Sequence, residues 1–347
     1  MFSFFKSKKI DISVLVPVFS TEATLLRCLE SVKRQSGQGF LLELVVVDDC
    51  SAGKDESGRS CMQIVRDFKK ACGFAVQYIR HEQNKGAFEA RRTAVYAANG
   101  ERLFMLDSDD CLEEGALLRL LKYARESGAH IVHADARVVG KGDEHFMNEM
   151  QEKAHNIHVG VLCGRQIIEH FLIDMDIVGF MCIKLFDREL VLNALEHVPV
   201  VSCTMAEDYL LFLWVAYEAA LHGYTYLGVK DTVYVYYVDS GITSRRVITD
   251  IKDWVKVVST ASVFTSIFSE IDNLSEEEAG RVFDKKILDC IKQNCRSFLA
   301  HNILSYRQLV SPEIKPQAYE LLCEYWGRDF VEDIEKQLEE VNAKPKA

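Results

Sequence analysis

The feature that most constrains this chain is an alternation. Over roughly the first 140 residues, short β-branched runs alternate with longer stretches whose apolar positions recur at helical spacing. Residues 12–18, 43–47, 75–79, 102–106 and 131–139 read as strands. Residues 21–35 (Thr21 as N-cap), 60–72, 86–98 and 114–126 read as helices. Parallel strands need crossover connections, usually helical, so this order predicts a mostly parallel α/β sheet flanked by helices. In such sheets ligands bind beyond the carboxyl ends of the strands. Here those ends carry Pro17, Asp48-Asp49 and Asp107-Ser108-Asp109-Asp110. Unpaired carboxylates are costly inside a sheet, so they belong on its rim.

The rest of the chain reads differently. Residues 140–230 are mixed, with a helix at 207–222 and a Val- and Tyr-rich strand at 232–238. From about 248 the pattern is helical, with apolar stripes in 254–271, 281–300 and 317–341 that serve as core or as a subunit interface of a homo-oligomer. The boundary is placed near 245, separating a 1–245 domain (a first half at 10–140, a second at 140–245) from a 246–347 extension. The 342–347 tail reads as frayed.

Composition narrows the function. The chain has 347 residues with 41 basic and 52 acidic side chains, a net charge of −11. Nucleic-acid binders usually carry a basic excess, so that class is set aside. The 11 cysteines are scattered, without C-x-x-C spacing, and read as free thiols of a reducing cytosol. The longest apolar run, 210–217, is far short of the ~20 residues of a membrane span. The expected location is cytoplasmic, at most peripheral on one membrane face. Phe2, Phe4 and Phe5 with Lys6, Lys8 and Lys9 suit an anionic membrane surface; a disordered start is the alternative.

Four clusters carry chemistry. Asp107-Ser108-Asp109, directly after a strand, offers two carboxylates to a hard divalent cation, or forms a solvated turn. Asp49 beside Asp48 suits a base N–H or a ribose hydroxyl, or caps a helix. Asn84-Lys85-Gly86 with Arg91-Arg92 suits phosphate at a helix start, or is an ordinary turn and surface helix. Glu207-Asp208 opens a helix, where carboxylates favour the dipole or act as a general base. His130 and His133, three apart in a strand, face opposite sides and make poor co-ligands. Tyr234, Tyr236 and Tyr237 read as strand packing rather than a sugar platform.

Together these clusters resemble family 2 glycosyltransferases, inverting enzymes of GT-A fold that use nucleotide-diphosphate sugars. The matching stretches are 12–19 with Glu22 and 29–35, then 44–51, Asn84-Lys85-Gly86 with Ala90-Arg91, 98–110, 183–190 and Glu207-Asp208-Tyr209. The resemblance implies that Pro17, Phe19 and Glu22 line the base and ribose pocket. It implies that Asp49 binds the pyrimidine, Lys85 and Arg91 approach the nucleotide or its phosphates, and Asp107 with Ser108 contacts the ribose or sugar. Asp109 would hold Mn²⁺ or Mg²⁺ as cofactor, Asp208 would be the catalytic base, and Glu207 would lie beside it on the acceptor. The implied reaction is metal-dependent transfer of a hexosyl or N-acetylhexosaminyl group from a UDP-sugar. The implied acceptor is a hydroxyl of a glycan or lipid-linked glycan in bacterial surface polysaccharide synthesis.

Some positions depart from the family pattern. Ser20 stands where Asn is frequent, Arg92 where Asn is usual, and Val238 follows Tyr236-Tyr237 where His or Arg is common. Arg245 and Arg246 either close over the diphosphate in its place or are plain surface arginines. Two rivals remain: a non-catalytic nucleotide- or glycan-binding module of the same fold, and a nucleotidyl or phosphoryl transferase. The latter class lacks a P-loop sequence here, and its D-x-D would normally follow the first strand.

Overall fold

A computed structural model describes residues 9–141, 144–199, 205–238 and 247–343. Phe2, Phe4, Phe5, Lys6, Lys8, Arg245, Arg246 and the last four residues, all considered above, therefore lie outside the described residues. The chain divides into two compact units. One comprises 1–197 with 211–242, the other 198–210 with 243–347.

The first unit opens with β1 (Ile12–Val18), α1 (Glu22–Lys33), β2 (Leu42–Asp48), α2 (Cys61–Ala71), β3 (Ala75–Arg80), α3 (Ala87–Ala97) and β4 (Arg102–Met105). It continues with β5 (Cys111–Leu112), α4 (Ala116–Ser127), β6 (Ile131–Val139), α5 (Glu144–Ala154), β7 (Gly160–Cys163) and α6 (Arg165–Glu169). A π-helical turn (His170–Asp174) follows, then β8 (Lys184–Asp187), α7 (Arg188–Glu196), α8 (Glu207–His222) and β9 (Thr225–Tyr237). Among the described residues nine strands form one sheet in the order β3-β2-β1-β4-β8-β6-β9-β5, with β7 also on β9. Strands β1, β2, β3, β4, β6 and β9 run one way; β5, β7 and β8 run against them.

The sequence pattern explains these elements. β1 and β2 are buried along their whole length, as continuous apolar strands covered on both faces should be. Pro17 survives near the centre of the sheet because its missing N–H faces a gap. Leu106 N–H bonds Leu15 O and Asp49 N–H bonds Val18 O, so position 17 turns toward β4 just past its last paired residue. Helix α2 carries a capping box from Ser60 and Gln63. Thr21 occupies the N-cap position of α1, but its hydroxyl does not cap; it is used elsewhere.

The strand expected at 232–238 begins earlier, at Thr225. Gly228, Lys230 and Asp231 hide this from a propensity reading, and the pairing with β6 shifts register around Asp135. The core of this unit includes Trp214, Phe104, Phe186, Tyr226 and Phe212, each essentially inaccessible. Burial of each such side chain contributes about 1.5–3 kcal/mol. The ten described cysteines are free thiols, and no helix among the described residues is long and apolar enough to cross a membrane.

The second unit is helical: α9 (Ile251–Val258), α10 (Thr260–Asn273), α11 (Glu276–Val282), α12 (Lys285–Leu309), α13 (Lys315–Trp326) and α14 (Arg328–Ala343). The apolar stripes form its core. Buried Asn302 accepts from Trp326 Nε1 (2.9 Å) and Thr260 Oγ1 (3.1 Å), and Trp254 Nε1 donates to Ala318 O (2.8 Å). Tyr209 lies 5.7 Å from Phe264, ring to ring, and accepts a hydrogen bond from Asn294 (3.0 Å).

His130 and His133 hold separate partners, Thr225 and Tyr226. His133 is fully buried, and burial, then the charge of Lys184, hold it well below its ordinary pKa. Tyr226 donates its O–H to His158 O, so His133 Nδ1 donates to Tyr226, and Nε2 stays unprotonated with no hydrogen-bond partner. Below about pH 6.5 the unfolded chain takes up a proton that the folded chain refuses, so stability falls as pH drops through that value. Urea unfolding between about pH 6 and 5 should show His133→Gln losing stability less steeply than wild type, by up to about 1.4 kcal/mol per pH unit. Equal slopes would mean that His133 is protonated in the fold.

Candidate functional site

The acidic turn after β4 is built from three directions. Asp110 N–H bonds Asp107 O (3.0 Å), and β5 then pairs with β9, opposing Cys111 to Val235 and Leu112 to Tyr234. The buried Tyr234 O–H donates to Asp110 Oδ2 (2.7 Å) and accepts from Asp107 N–H (3.2 Å). Tyr237 N–H donates to Asp110 Oδ1 (2.8 Å). From α1, Thr21 Oγ1 meets Ser108 Oγ (2.7 Å) and Thr24 Oγ1 donates to Ser108 O (3.2 Å). The Arg27 guanidinium reaches Asp109 O and lies 3.7 Å over the Tyr237 ring.

The carboxylates therefore divide. Asp110 is buried; burial, then the charges of Asp107 and Asp109, push its carboxyl well above the ordinary value, against the two hydrogen bonds from Tyr237 and Tyr234. Ser108 is also buried. The Asp107 side chain is 29% exposed, and its Oδ1 accepts from Arg91 Nη2 at 2.9 Å. Asp109 is partly exposed. The turn thus keeps two carboxylates accessible to solvent while the third holds the turn together.

The β2 loop uses its acids inward. Asp48 takes Tyr78 O–H, Arg80 and Ser51 N–H (2.8 Å). Asp49 takes His81 Nδ1 (2.7 Å) and the N–H groups of Lys85 and Gly86 (2.8 Å each). Gly86, at φ +92°, is the N-cap of α3. The anion at this helix start is thus the protein's own carboxylate, which the dipole favours. Lys85 is exposed. Arg91 is buried against Asp107, whereas Arg92 pairs with Glu89 (3.2 Å) on the same helix.

The three residues assigned to the base pocket have different surroundings. Pro17 is buried in the sheet, Phe19 is 49% exposed, and Glu22 is buried with Oε1 lacking a partner. A Cβ on Gly53 would stand 2.6 Å from Glu22 Oε2, so the β2 loop lies directly over this carboxylate. On the acceptor side, 183–190 is mostly buried. Lys184 is fully enclosed, donating to Val178 O (2.7 Å) and Phe180 O. Glu207 and Asp208 occupy the first turn of α8, partly buried, in the segment grouped with the second unit.

Four contributors escaped the sequence reading: Tyr234, Arg27, His81 and the hydroxyl of Thr21. Tyr234 reads from sequence as strand packing, and its partner lies 124 residues away. His81 follows directly on a strand, as Asp49 does, and that placement was the available signal.

Known proteins are similar to this chain in sequence or in fold. Glycosyltransferase GlyG of Streptococcus pneumoniae is 29% identical over 136 residues, 39% of this chain and 42% of that one. The poly(ribitol-phosphate) β-N-acetylglucosaminyltransferase TarP of Staphylococcus aureus is 30% identical over 132 residues, 38% of each chain. The chain thus spans about two fifths of the length of these relatives. The crystal structure of S. aureus TarS 1–349 in complex with UDP matches with a TM-score of 0.60 at 20% identity, covering 94% of this chain and 83% of that one. The fold is GT-A-like, and residues 13–183 match the family model described as glycosyl transferase family 2; the chain belongs to that family.

Proposed function

We propose that the chain transfers one sugar, with inversion, from a UDP-sugar to a hydroxyl of a glycan acceptor in bacterial surface polysaccharide synthesis, aided by a divalent metal. The observation that carries this reading is the turn after β4, with Asp107 and Asp109 accessible and Arg91 on Asp107. The names of relatives support the chemistry. TarP and a poly(ribitol-phosphate) β-glucosyltransferase of Bacillus spizizenii are sugar transferases to a polymer, and TarS has been crystallised with UDP-GlcNAc. We further propose a 1–245 catalytic domain followed by a helical extension, working at the cytoplasmic membrane face.

The donor set suits Mn²⁺ or Mg²⁺. Such ions accept one or two carboxylates and complete their shell with water and substrate phosphates. Asp109 would hold the ion, whose charge neutralises the leaving diphosphate. Arg91, 2.9 Å from Asp107 Oδ1, would hold that carboxylate toward the donor. Asp49 fixes the start of α3 and with it Lys85, while Phe19 and Glu22 flank the β1 end where the base would rest. Asp208 would take the proton of the attacking acceptor hydroxyl, with Glu207 orienting it. Attack opposite the leaving group needs no covalent enzyme intermediate.

Thermal melting against nucleotides tests the donor. A Mn²⁺-dependent upward shift with UDP, larger for one UDP-sugar, is expected; no shift with any uridine nucleotide would refute the donor class. Asp109→Ala should remove the Mn²⁺-dependent part of that shift, and an unchanged dependence would move the metal elsewhere. Asp208→Asn should cut transfer by about 10²–10⁴-fold while UDP affinity stays within about twofold of wild type. Transfer at the wild-type rate would place the base on another residue. Tyr234→Phe leaves Asp110 and the Asp107 N–H without their shared partner and should cost about 1–3 kcal/mol in urea unfolding. A loss too small to measure would show that the hydroxyl does not hold the turn.

A further inference from the structure

A second cluster lies in the first unit, away in sequence from every residue assigned above. His158 Nδ1 is 2.9 Å from Asp176 Oδ2, and His170 Nδ1 is 2.9 Å from Oδ1 and 3.2 Å from Oδ2 of the same carboxylate. The two imidazole centroids are 4.2 Å apart. One ligand atom from each residue falls within 4.8 Å of the others, and this is the one group of three or more such residues among those described. We propose that His158, His170 and Asp176 form a binding site for a divalent transition cation of zinc type.

The donor chemistry selects the ion. Two imidazole nitrogens and one carboxylate oxygen are ligands for a borderline cation, and three protein ligands leave a fourth position for water. Metal–ligand bonds of about 2.0–2.2 Å in tetrahedral geometry put neighbouring ligand atoms about 3.4 Å apart. The 2.9–3.2 Å contacts to Asp176 need only small outward shifts to reach that spacing. Each neutral imidazole would carry its proton on Nε2 and present Nδ1 to the ion. The three side chains are 24%, 22% and 40% exposed, so the ion has a path from water.

The backbone holds the ligands in place beforehand. The π-helical turn ends in Met175 at φ +55°, and Asp176 N–H bonds back to His170 O (3.2 Å). Asn156 Nδ2 donates to Met175 O (2.9 Å) and Val178 N–H donates to Asn156 O (3.0 Å), stitching the His158 and Asp176 segments together. Tyr226 O–H donates to His158 O (3.2 Å), and a Cβ on Gly228 would stand 1.8 Å from that oxygen. Asp174, 3.5 Å from His170 Nδ1, adds negative charge at the margin.

Chelator-stripped full-length protein titrated with Co²⁺ tests the site. Four-coordinate nitrogen and oxygen ligation should give a visible d–d band at one equivalent that Zn²⁺ abolishes by competition. His158→Gln and His170→Gln should each weaken the Co²⁺ affinity at least tenfold, while Asp109→Ala keeps the band. No band in wild type, a band unchanged in both histidine variants, or one lost in Asp109→Ala overturns the proposal. X-ray absorption of the zinc-loaded wild type decides independently of how the variants fold. Scattering from two imidazoles supports the site, and an all-oxygen shell overturns it.

Discussion

The acidic turn after β4 is tied across the sheet by one hydroxyl. Tyr234, in the last stretch of β9, accepts the Asp107 N–H and donates to Asp110. The sheet order explains why this contact carries so much. The parallel half, β3-β2-β1-β4, is made of consecutive βα units, but the other half is assembled by β8, β6 and β9 from distant parts of the chain. The acidic turn belongs to the first half and is anchored by the second. The same turn is held besides by the Tyr237 N–H on Asp110, by the β5–β9 pairing, by Arg91 on Asp107 and by α1 through Thr21, Thr24 and Arg27.

The parallel half was legible from sequence for a physical reason. Strands β1 and β2 are buried along their whole length and read as apolar runs, β3 at the edge is only partly buried, and β1, β2 and β3 are each followed by a helix with its own periodicity. Strand β1 and β6 fall on their expected residues. The other half was less legible. β5, β7 and β8 are two to four residues long, too short for any period to register. The early part of β9 is polar because it borders β7 and bends through a register shift, so a propensity reading starts it seven residues late.

The candidate site shows the same divide. Residue type and position after a strand mark Asp107 and Asp109 locally, and Arg91 is marked by its place near a glycine-led helix start. Their supports were not, because nothing local distinguishes Tyr234 from any other strand tyrosine, or Thr21 from a conventional helix cap. The Thr21 hydroxyl had two acceptable partners, the α1 backbone or Ser108, and which it takes depends on where the β4 turn arrives. That choice is made by tertiary structure.

The four carboxylates at the ends of β2 and β4 other than Asp109 show how a fold can keep an acidic rim without self-repulsion. Asp48 is neutralised by Arg80 and Asp49 by the amides and imidazole at the start of α3. Asp107 is paired with Arg91. Asp110 is instead enclosed, and burial, then the charges of Asp107 and Asp109, hold its carboxyl well above the ordinary value. A cation arriving at Asp109 would lessen the very charges that raise Asp110, since Asp107 and Asp109 are the next causes after burial. Packing three aspartates within four residues thus sets a charge load that the fold meets with Arg91 on Asp107 and with the enclosure of Asp110.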